Sequence, residues 1–184
     1  MFTTLITALI AASPFPSLLN ASSPVDSEAG RRSLGLSVGG LRLFSVDTSS
    51  PDVIAPITIE GGYDVGEATV LFVRVPIGVG VVRFGAPAAS GAGLVVTTGG
   101  QFGVRHFFDS EFVRPFVGAQ LGGVFVLSQT TVFRAGPGIV AGLETARFAR
   151  SLSVQLLGHF DWFIALNSPQ AFSVGASLGV TTTF

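Results

Sequence analysis

Residues 71–81 read LFVRVPIGVGV. Leu71, Val73, Val75, Ile77, Val79 and Val81 hold one set of alternating positions, and Phe72, Arg74, Pro76, Gly78 and Gly80 hold the other. Successive side chains of a β-strand point to opposite faces. The stretch is therefore a strand with one continuous aliphatic face and one face of small groups that carries a single arginine. The same pattern returns on both sides of it. From Ser33 onward, period-2 alternation predicts strands over about 33–46, 54–65, 68–84, 93–107, 112–127, 131–147, 151–165 and 170–184. In the fifth, Val113, Pro115, Val117, Ala119, Leu121, Phe125 and Leu127 oppose Arg114, Phe116, Gly118, Gln120 and Gly122. In the seventh, Leu152, Val154, Leu156, Phe160, Trp162 and Ile164 oppose Ser151, Ser153, Gln155, His159 and Asp161. Clusters of Asp, Glu, Ser, Pro and Gly separate the runs, with no helical pattern between them. Evenly spaced strands on short connections form an antiparallel up-and-down meander.

Composition decides which face points where. Only 11% of residues are charged, against about 25% in ordinary soluble domains. Apolar residues make up 48% of the chain, and the mean hydropathy is +0.64. Such a chain is short of the charge a water-facing surface needs. Membranes are crossed only by helices or closed barrels, and the uncharged stretches, such as PFVGAQLGGVFVLSQTTVF at 115–133, are too dense in Gly and β-branched residues for helices. The small, sparsely polar faces suit the inside of an eight-stranded barrel, which is just wide enough for side chains to fill. The aromatic residues gather at strand ends: Phe44, Tyr63, Phe84, Phe107, Phe112, Phe125, Phe133, Phe148, Trp162, Phe172 and Phe184. Phe72, Phe102 and Phe116 are the mid-strand exceptions. Aromatic girdles around an aliphatic band mark a transmembrane barrel. The predicted fold is all-β, an eight-stranded antiparallel up-and-down transmembrane β-barrel.

RPFVGAQLGG (114–123), GPGIVAGLE (136–144) and the terminal SLGVTTTF (177–184) resemble strands of the small outer-membrane β-barrels of Gram-negative bacteria, the OmpA/OmpX-like transmembrane type. The resemblance covers about 33–184. It implies residence in the bacterial outer membrane, contact with outer-membrane lipid and lipopolysaccharide, and both termini on the periplasmic side. It also implies that the barrel assembly machinery reads the last strand, with Phe172, Val180 and Phe184 as the assembly signal. A monomer is expected. The extracellular loops then fall near 47–53, 85–92, 128–130 and 166–169, and the periplasmic turns near 65–67, 108–111 and 148–150. Asp64, Glu67, Asp109, Glu111, Arg147 and Arg150 are expected to leave the bilayer at those turns.

The inward polar set is Glu60, Arg74, Gln101, Arg105, Arg114, Gln120, Arg134, Glu144, Gln155, His159 and Asp161. Charges confined in a narrow lumen must pair, because an unpaired buried charge is costly. The favoured reading is a structural ion-pair plug; a narrow gated channel is the alternative. Two further alternatives are an outer-membrane lipid-modifying enzyme and a soluble lipocalin-like ligand-binding barrel. The first would need a nucleophile and base, but RHFFDSE (105–111) places His106 and Ser110 across a turn, and GHFDWF (158–163) offers His159 and Asp161 with no nucleophile between them. The second would place its charged face outward, and it lacks a Gly-x-Trp start. Zero Cys and two His leave no expected metal site or cofactor, and a net charge of −1 gives no case for nucleic acid.

Residues 1–29 stand apart from the barrel at 30–184. The apolar run LITALIAA followed by a Pro/Ser-rich stretch resembles a signal peptide and linker, without the usual early basic residue. One irregularity falls in the first strand, where strict alternation through Gly39 and Gly40 puts Arg42 on the lipid face. Either a bulge at the glycine pair reverses the facing, or Arg42 lies high enough to reach headgroups.

Overall fold

All eight expected strands form, with ends within two residues of those read from the sequence: β1 (Arg32–Ser45), β2 (Asp52–Asp64), β3 (Thr69–Phe84), β4 (Gly91–Phe107), β5 (Val113–Leu127), β6 (Thr131–Thr145), β7 (Leu152–Phe163) and β8 (Ala171–Thr183). The computed structural model describes residues 30–45, 52–84, 91–110, 112–127, 131–145, 151–164 and 170–184. The leader, Glu111, Arg147, Phe148, Arg150 and most of the expected extracellular loops lie outside them. Each strand pairs antiparallel with its neighbour in sequence, and β8 pairs with β1 to close the barrel. At the seam, Arg32 and Phe184 exchange backbone hydrogen bonds of 3.1 and 2.9 Å.

The register fixes the barrel's shape. The path Ser33, Gly62, Phe72, Gly103, Gln120, Gly138, Asp161, Ser173 runs once around the wall and returns to β1 at Leu43, ten residues beyond its start. Eight strands with that shear tilt by about 40°. Strands of 12 to 17 residues then more than cover an apolar band of about 25 Å.

Facing follows the predicted alternation. Leu36, Ile57, Val79 and Ile139 are more than half exposed on the outer surface, whereas Phe72 is 2% exposed inside. In a lipocalin-like barrel the apolar set would be enclosed; here it forms the exterior, which overturns that alternative. In β1 the pairing with β8 continues without offset from Ser33↔Thr183 to Ser45↔Ala171. No bulge reverses the strand, so Arg42 faces outward, beside the stacked Phe44 and Phe172 rings, 4.8 Å apart.

Three ladder interruptions break the regularity. The β1–β2 register skips from Val38↔Ile57 to Leu41↔Ile54, passing over Gly39–Gly40 and Ala55–Pro56. The β3–β4 register skips Val75–Pro76 opposite Gly99–Gly100. The β6–β7 ladder stops at Gly138↔Asp161 and returns only as the single bridge Ala135↔Ile164, passing over Pro137. Proline has no N–H to give to a ladder. Allowing for the climb of the register, the three prolines lie at nearly the same height, close to the middle of the barrel.

Candidate functional site

The inward phase of every strand converges on the lumen, and all eleven residues of the expected inward polar set, Gln101 included, lie on that phase. Glu60 and Arg74 are register partners on β2 and β3. Arg74 Nε donates to Glu60 Oε2 at 2.5 Å, and Arg105 Nη2 lies 2.6 Å from Glu60 Oε1. One carboxylate thus faces two guanidiniums. Arg74 Nη1 reaches Gln120 Oε1 at 3.4 Å, Gln120 Nε2 donates to Asp161 Oδ1 at 2.5 Å, and the Ser173 hydroxyl donates to Asp161 Oδ2 at 3.1 Å. The chain of contacts runs across the barrel from β2 to β8. Removing one partner of such a buried pair typically costs about 3–5 kcal/mol, because the other charge stays behind unpaired.

Aromatic rings pack around this network. The Arg105 guanidinium sits 5.4 to 5.5 Å from the ring centres of Phe72, Phe107 and Phe116, and Arg74 sits 4.4 Å from that of Phe72. These rings, with Val70, Val140 and Leu157, form one apolar cluster. Leu43, Ile54, Val95, Val126, Phe163 and Ala171 form a second near the other end. Nearest the termini, Arg114 and Glu144 are register partners, Arg114 lies 4.7 Å from the Phe107 ring centre, and the Ser153 hydroxyl donates to Glu144 at 2.7 Å. Gln155 is buried beside its register partner Glu144, and Arg134 lies on the inward phase towards the start of β6.

Two readings need correction. Phe107 was expected in the aromatic girdle, but it is 3% exposed and inside the barrel, because it shares the phase of Arg105 and packs on Phe116 at 5.2 Å. Asp64 was expected to leave the bilayer at a turn, yet it is 4% exposed and lines a small cavity with Arg114 and Glu144. Its even position on β2, in step with Glu60, was the available signal. The other described girdle residues, Phe44, Tyr63, Phe112, Phe125, Phe133 and Trp162, face outward. So do Phe172, Val180 and Phe184. The backbone of Phe84 is described within β3, without its side chain. Sequence reasoning also passed over Ser153 and Ser173, which hydrogen-bond the Glu144 and Asp161 carboxylates.

His159 Nε2 stands 3.8 Å from Asp161 Oδ2, beyond hydrogen-bond length, and Asp161 is already held by Gln120 and Ser173. Among the described residues, no group of three His, Cys, Asp or Glu could hold a metal ion.

The fold is that of the small outer-membrane β-barrels. Neisserial surface protein A (NspA) is 18% identical, with a TM-score of 0.61, over 84% of this chain and 99% of that one. The outer membrane protein OprG from Pseudomonas aeruginosa is 6% identical, with a TM-score of 0.63, over 85% and 96%. Ail, the attachment invasion locus protein of Yersinia pestis, is 12% identical, with a TM-score of 0.51, over 85% and 99%. No family model and no curated protein matches the sequence.

Proposed function

We propose that this chain is an integral protein of a Gram-negative outer membrane, with a closed, ion-paired lumen and a structural rather than catalytic role. The apolar exterior and the fold shared with outer-membrane barrels support the location. In that setting the outward band meets lipid and lipopolysaccharide, and the barrel assembly machinery reads β8 with its outward Phe172, Val180 and Phe184.

The observation that carries the closed lumen is the run of contacts from Glu60 through Arg74, Gln120 and Asp161 to Ser173, flanked by two apolar clusters. An ion crossing this lumen would have to separate a buried pair and pass two apolar layers. Single-channel recording in planar bilayers tests the reading. Purified protein is expected to give no defined conductance steps. Steps of reproducible size that change on Arg74→Ala would overturn the plug and establish a narrow channel.

A further inference from the structure

Above the Glu60–Arg74 pair, on the side away from the termini, the lumen holds a cavity of about 60 Å³. At about 10–15 Å³ for each water-sized group, it has room for a handful of them. Its lining changes character from one wall to the other. Glu60, Arg74, Gln155, His159 and Asp161 form a polar wall, whereas Leu43, Ile54, Val126 and Phe163 form an apolar one. Three nitrogen atoms on the polar wall, the donors Arg74 Nη2 and Gln155 Nε2 and the ring nitrogen His159 Nε2, which donates when it carries the proton, are shielded from solvent and have no hydrogen-bond partner among the described residues. Arg74 and Gln155 are more than nine-tenths buried. Buried donors without acceptors are uncommon and costly, and a cavity that collects them calls for an acceptor.

We infer that this cavity binds a short-chain carboxylate, with its oxygens on the three donors and its alkyl end against Leu43, Ile54, Val126 and Phe163. A carboxylate only accepts hydrogen bonds and offers about four lone-pair sites, which matches a wall of donors that includes a guanidinium. The protein's own carboxylates do not fill this role: Asp161 is held by Gln120 and Ser173, and Glu60 by Arg74 and Arg105. The layer's charges already cancel, Glu60 and Asp161 against Arg74 and Arg105. The ligand therefore enters with a proton, carried on His159. The charged groups that face His159 are Asp161 on its own strand and Arg74 on β3, with Glu60 beyond; its register partners, Val140 on β6 and Gly175 on β8, carry none.

The test uses the full-length protein, isotope-labelled and refolded in lipid nanodiscs. Sodium butyrate is titrated against sodium chloride of equal ionic strength, and the Gln155 side-chain amide and the His159 ring resonances are followed. Saturable shifts are expected with butyrate, weaker binding with acetate, and tighter binding at pH 6 than at pH 8. Gln155→Leu should weaken butyrate binding about tenfold, the worth of one hydrogen bond to a charged group, and heat-dependent gel mobility verifies that the variant is folded. Shifts no larger with butyrate than with chloride would overturn the inference and leave water as the occupant. So would equal affinity in wild type and folded Gln155→Leu.

Discussion

At the scale of single residues, glycines across the strand make room for the inward rings of Phe72 and Phe116. Phe72 lies between Gly62 and Gly103 in register, and Phe116 lies opposite Gly142. A Cβ at Gly142 would stand 2.5 Å from the Phe116 ring and closer still to the Leu156 carbonyl oxygen, and one at Gly103 would stand 2.7 Å from Phe72 and closer still to the Ala119 carbonyl oxygen. Those contacts are too short to keep, so a ring or a strand would have to move. Overpacking of this kind costs about 1–3 kcal/mol. Gly142→Ala is therefore expected to lower stability by that amount in urea unfolding from lipid vesicles. Gly61 faces outward, with open space where a Cβ would go. Gly61→Ala should match or slightly exceed wild type, since it narrows the unfolded ensemble. Equal losses at both sites would show that strand propensity, and not lumen packing, governs the glycines. The alternation in the sequence places Gly142 and Phe116 on the same face. It cannot pair them, because that needs the register between β5 and β6.

At the scale of elements, the strands were legible because their alternation is long and uninterrupted, and the same regularity resolves Arg42. Strict period 2 continues through Gly39 and Gly40, so the residue is outward as counted. The ladder interruptions were not legible. Pro56, Pro76 and Pro137 are visible in the sequence, but their common height depends on strand stagger, which no single strand encodes. Missing ladder pairs leave backbone groups less protected, so opening there should need less than global unfolding. In hydrogen exchange of the folded barrel, amides at residues 39–40, 99–100 and 136 are expected to exchange faster than those of Gly103, Gly118 and Gly142 nearer the termini. Uniform protection along β1, β4 and β6 would mean that the ladder closes across the prolines. The Phe107 misplacement belongs to this scale too. Position at a strand end was read as membership of the girdle, but phase outranks position: a residue two beyond an inward arginine is itself inward.

At the scale of the whole molecule, the distribution of polarity is the reverse of that in a soluble barrel. Leu36, Val38, Ile57, Val73, Ile77 and Val79 cover the exterior, while Glu60, Arg74, Arg105 and Asp161 are enclosed. Enclosing charge is tolerable because the charges meet one another, and exposing aliphatic surface is tolerable only where the solvent is lipid. This arrangement makes the cost of a new charge depend on its face. Val75 lies outward in the middle of β3, and Ser177 lies inward on β8. Arginine at a lipid-facing midplane position costs about 2–4 kcal/mol in transmembrane barrels. Val75→Arg is expected to lose that much in equilibrium unfolding from lipid vesicles. Ser177→Arg meets no lipid; its guanidinium enters the polar cavity beside His159 and Asp161, so steric fit sets its effect, and shortening it to Ser177→Asn should recover most of the loss. A neutral Val75→Arg, measured on protein whose gel mobility still shifts on heating, would mean that β3 does not present its aliphatic face to lipid, and the inside-out reading of the barrel would fall with it.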